Sequence, residues 1–137
     1  MTENNFEFVK NAFIALLAVV LSSCVPSKEE RIEFREYYDY RVSELVEYDN
    51  MFSDTGCVEI HLNDWMNFLE NCSYLEALTG CELHYNRSEP PCYENKGALS
   101  ADTAALMKWY AENGEQWTMK RADKYVYKKR KGHTVYF

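Results

Sequence analysis

The stretch WTMKRADKYVYKKRKGHTVYF, residues 117–137, decides the fold class. Read by alternation, YVYK and TVYF are two short strands, and Gly132 within Lys129–His133 supplies a hairpin turn between them. The stretch holds seven basic residues, Lys120, Arg121, Lys124, Lys128, Lys129, Arg130 and Lys131, against one acidic residue, Asp123. Residues 24–116 are the reverse, with 7 basic and 19 acidic residues. Two readings follow. The basic hairpin packs beside acidic helices and balances them, or it faces an anionic surface such as lipid head groups or an acidic protein. The whole chain, at −7, makes no case for nucleic-acid binding.

Working upstream, EERIEFREYYDYRVSELVEYDNMF, residues 29–52, has helical spacing, with Phe34, Tyr38, Val42, Leu45 and Phe52 on one face. Ser27 is its expected cap, and Glu29 and Glu30 suit its first turn. CVEIHL, residues 57–62, alternates as a half-buried strand. A second helix runs from Asp64 to Gly80, with Trp65, Leu69, Cys72, Leu75 and Leu78 inward. CELHY, residues 81–85, repeats the alternation as a second strand, and Pro90 and Pro91 break the loop behind it. Ser100 is the expected cap of a third helix that Gly114 ends. The sum is an α+β domain of about three helices, a small sheet and a C-terminal β-hairpin. Its 11 tyrosines suit a small core with a half-wet boundary.

At the N-terminal end, Ala12 to Leu21 is an apolar core of ten residues. A membrane-spanning helix needs roughly 20, so the length fits a signal-peptide h-region instead. Leu21-Ser22-Ser23-Cys24 then resembles the lipobox of bacterial lipoproteins. The resemblance covers only these first residues. It implies that residues 1–23 are a cleaved signal peptide, that Cys24 carries the lipid, and that 24–28 is a lipidated tether to one domain, 29–137. It also implies a protein anchored on the periplasmic side of the cell envelope, with Val25 in place of Asp favouring the outer membrane.

Setting Cys24 aside leaves Cys57, Cys72, Cys81 and Cys92, an even number in a small exported domain. That pattern predicts two disulfides with three pairings open. The intervals of 14, 8 and 10 residues contain no C-x-x-C knuckle, which argues against a four-thiolate zinc site.

One constellation carries chemistry. Residues two apart on a strand share a face, so Glu59 with His61, and Glu82 with His84, present carboxylate and imidazole side by side. If one helix joins two parallel strands, the four meet on one face and suit Zn²⁺ or another divalent ion. The same alternation also arises on the plain solvent side of a half-buried sheet. No P-loop, nucleophile elbow, dinucleotide fingerprint or H-E-x-x-H occurs. The leading expectation is a non-enzymatic envelope lipoprotein that binds an envelope or secreted protein, as an inhibitor, an immunity or exclusion factor, or an assembly accessory. The alternatives are a metal-dependent hydrolase using His61 and His84, and a structural protein that holds an anionic envelope surface.

Overall fold

The computed structural model describes residues 7–16, 25–55 and 60–132. These residues form five α-helices: α1 (7–16), α2 (Lys28–Thr55), α3 (Leu62–Thr79), α4 (Lys96–Asn113) and α5 (Met119–Lys131), with a 3-10 turn at Gly114–Gln116 between the last two. Every residue of α1 is exposed. No helix among the described residues is long and apolar enough to cross a membrane.

The long helix α2 touches α3, α4 and α5 and is the spine of the domain. Phe34, Tyr38, Val42 and Leu45 are buried along one side of it, as their spacing predicts, and Phe52 packs half-buried at its end. Ser27 caps it: its Oγ accepts from the Glu30 N–H at 3.2 Å, while Glu30 returns a bond to the Ser27 N–H at 2.9 Å, the reciprocal capping box. Aromatic rings join the layers. Tyr48 of α2 stacks on Phe68 of α3 with centroids 4.2 Å apart, and Tyr38 lies 5.0 Å from Tyr110 of α4. Helix α3 stops where Gly80 takes φ 72, a left-handed cap that favours glycine.

The α+β expectation is overturned: no strand forms among the described residues, and one isolated bridge, Asn86 with Cys92, is all the β pairing they contain. The predicted hairpin is the largest correction. YVYK lies inside α5, whose inward residues Ala122 and Val126 are four apart. Tyr125-Val126-Tyr127 alternates over three residues, too few to outweigh helix-favouring Met119, Lys120, Arg121, Ala122 and Lys124. Thr118 starts the helix by accepting the Arg121 N–H at 3.1 Å. TVYF lies outside the described residues. So do Cys57 to Glu59 of the first predicted strand, whose last residue, Leu62, begins α3.

In CELHY the alternation is real and the partner is different. Leu83 and Tyr85 are buried, while Glu82 and His84 are exposed. In place of a neighbouring strand, side chains take the backbone N–H groups. Thr79 Oγ1 accepts from Cys81, Glu76 Oε1 from Leu83, and Asp102 Oδ2 from His84. Helix α4 begins five residues earlier than a Ser100 cap predicts, because Asn95 is its cap and accepts the Ala98 N–H at 2.8 Å.

Candidate functional site

The seven basic residues of the C-terminal stretch all lie on α5, and the helix sorts them. Arg130 turns to α3 and pairs with Glu70 at 2.9 Å; the Lys129 ammonium donates to the Ala77 carbonyl at 3.0 Å. On the same inward side, Asp123 accepts from Tyr74 at 2.7 Å and from Tyr37 at 3.4 Å. Arg41 lies over the Tyr74 ring, 3.7 Å from its centroid, and bonds Tyr37 and Asn71. Burial pushes the Tyr74 phenol up and the bond to Asp123 adds to it, so Tyr74 stays protonated and donates. These contacts fix the rotation of α5. Lys120, Lys124, Lys128 and Lys131 then fall on its outward face at steps of four, four and three, with Arg121 beside them. Val25 and Pro26 line the same hollow as Lys120, Arg121 and Lys124, so the polypeptide enters the domain at that face. Pro26 is already buried and α2 starts at Lys28.

A second surface was not visible in the expected arrangement. Leu62, Met66 and Leu69 of α3 stand 59%, 58% and 37% exposed. Their spacing, i, i+4 and i+7, makes them one apolar ridge. Leu69, expected inside, is on this ridge because Phe68 takes the inner position against Tyr48. A shallow acidic hollow lies between α2 and α3, lined by Glu44, Glu47, Met51, Asp64 and Asn67.

The expected metal set is only partly within the described residues. Glu59 lies outside the described residues, His61 is exposed at the start of α3, and no three His, Cys, Asp or Glu side chains group for a metal ion among the described residues. His84 instead bonds Asp102. Its Nδ1 is 2.7 Å from Asp102 Oδ1, and its own N–H and the Tyr93 hydroxyl donate to Oδ2 at 2.7 and 2.8 Å. Asp102 is 2% exposed, so three donors meet a buried carboxylate. This lock joins the 81–93 segment to α4, and the Asp102 bond raises the His84 pKa above its ordinary value. Nothing in the sequence signals a pair 18 residues apart.

The disulfide expectation is corrected too. No disulfide joins any two of Cys72, Cys81 and Cys92, Cys72 and Cys81 are free thiols, and Cys24 and Cys57 lie outside the described residues. Cys72 is fully buried on the inner side of α3 and packs as a small hydrophobe; burial pushes its thiol pKa up, which keeps it protonated and inert. An even cysteine remainder therefore lends no support to export, which rests on the sequence of residues 11–24.

Comparison with known protein families, characterised proteins and solved structures finds no match to this chain.

Proposed function

We propose that this chain is an envelope-anchored, non-enzymatic helical domain that binds another protein through α3. The observation that carries the reading is the Leu62–Met66–Leu69 ridge. Large apolar side chains scattered singly on a surface need no explanation, but three at helical spacing form a contiguous face of the kind that a partner covers. The occupant that fits is an amphipathic helix with its apolar side on the ridge. Cys24 is the proposed lipid site on the strength of LSSC alone.

Two measurements bear on this. Met66→Asp in the full chain should abolish co-purification of the partner from cross-linked cells. Its melting temperature should stay near wild type, since surface changes cost within about 0.5 kcal/mol. Undiminished co-purification would sink the ridge as the contact. Separately, the intact mass of membrane-extracted protein should show residues 1–23 removed and lipid added at Cys24; the mass of an unmodified full chain would remove the anchor.

A further inference from the structure

We propose that the outward face of α5 docks on an anionic phospholipid surface, holding the domain flat against the membrane at the point where the polypeptide enters it. This inference is independent of the α3 ridge and does not require a lipid on Cys24.

The first support is how the cations are placed. Ala122 and Val126 are buried on one side of α5, and Lys120, Lys124, Lys128 and Lys131 are exposed on the other. The cations that serve the fold are different ones: Arg130 pairs with Glu70, and Lys129 reaches the Ala77 carbonyl. For Lys120, Lys124 and Lys128, no carboxylate lies within ion-pair distance among the described residues.

Helix electrostatics does not account for the arrangement. A helix dipole favours cations in the last turn, which explains Lys128 and Lys131. It disfavours them in the first turn, where Lys120 and Arg121 stand and which contains no acidic residue of its own. Like charges at i, i+4, here Lys120 with Lys124 and Lys124 with Lys128, repel each other as well. Lys120 and Lys124 thus stand where the helix disfavours them, and an external anionic surface supplies a countercharge for them and for Lys128. Tyr125 and Tyr127 border the stripe on either side, both exposed. Amphipathic rings of this kind suit head-group depth.

The second support is the route of the chain. Val25 and Pro26 share a hollow with Lys120, Arg121 and Lys124, in which Glu30 is the one carboxylate lining the wall among the described residues. The apolar Ala12–Leu21 segment and Cys24 lie immediately upstream. The described chain therefore joins the domain at the edge of the α5 face, at Val25 and Pro26. A plane also fits better than a polymer. A nucleic acid or other polyanion wrapping the domain would meet its acidic remainder, whereas a flat surface meets α5 alone.

Lysine labelling of the full chain on vesicles tests this, because it reads each residue separately and is not confused by binding through the N-terminal segment. With an amine-reactive probe and mass spectrometry, Lys120, Lys124 and Lys128 should lose about threefold or more of their reactivity on phosphatidylcholine–phosphatidylglycerol vesicles relative to phosphatidylcholine alone. Salt at about 0.5 M, where the Debye length is about 4 Å, should restore it. Lys96 and Lys108 of α4 should not change. Equal protection on both vesicle types would mean attachment by the upstream segment only and would overturn the proposal. So would protection by soluble heparin with none on anionic vesicles, or lysines that never change.

Discussion

Asp102→Ala is expected to be the most damaging polar substitution in the domain, costing about 3–5 kcal/mol in all, because it leaves two donors without an acceptor at about 1–3 kcal/mol each. The cause lies in what remains. The buried Tyr93 hydroxyl and the His84 backbone N–H both lose Asp102 Oδ2, the acceptor they share among the described residues. For a domain of this size that is a fall of more than about 10 °C in melting temperature. A pH signature accompanies it. His84 has its pKa raised in the folded protein, first by the hydrogen bond to Asp102 and then by its charge. A raised pKa means that the folded state holds the proton more tightly than the unfolded chain. The contribution is fully present below the ordinary value near 6.5 and is lost as pH rises through the folded value. Thermal melts of wild type should therefore lose stability as pH climbs above 6.5, and Asp102→Asn should flatten that slope. An unchanged slope in Asp102→Asn would show that His84 does not titrate against Asp102.

The second large effect belongs to Tyr38. It is 1% exposed, lies against Phe34, Trp109 and Tyr110, and donates its hydroxyl to the Leu106 carbonyl at 2.7 Å. Tyr38→Ala should cost about 3–5 kcal/mol through the cavity and the lost contacts. Tyr38→Phe keeps the ring and removes only the hydrogen bond, so it should cost about 1 kcal/mol. Chemical denaturation of both variants separates the two contributions. Equal losses would mean that the hydroxyl, and not the ring, secures α4 to α2. Burial holds the phenol protonated, because it pushes the Tyr38 pKa well above the ordinary tyrosine value.

Much of the helical framework was legible in the sequence because its signals are local. The 3.6 periodicity of Phe34, Tyr38, Val42 and Leu45 gave α2 its inner face, and Gly80 and Gly114 marked the ends of α3 and α4. What failed were inferences that needed a partner. Alternation in residues 81–85 correctly sorted Leu83 and Tyr85 from Glu82 and His84. It did not reveal that Thr79, Glu76 and Asp102 side chains would replace a neighbouring strand. In the C-terminal stretch, Tyr125-Val126-Tyr127 fits either period, and only the wider spacing to Ala122 favours a helix. That choice mattered for function. On a hairpin the lysines would scatter over two faces, while on α5 four of them align. The ridge on α3 was hidden by placing Leu69 inward, although Leu62, Met66 and Leu69 already share a helical register. The disulfide expectation rested on counting, and counting does not see that Cys72 sits in the core of α3.

The central claim, that the α3 ridge is a protein-binding face, is tested most directly by position-resolved photo-cross-linking of the full chain in intact cells. A photoreactive side chain is placed at Leu62, at Met66 and, as a control, at the exposed Met107 of α4. One adduct of defined mass is expected from positions 62 and 66 and none from 107. Adducts from 107 as abundant as those from the ridge, or none from 62 and 66, would contradict it.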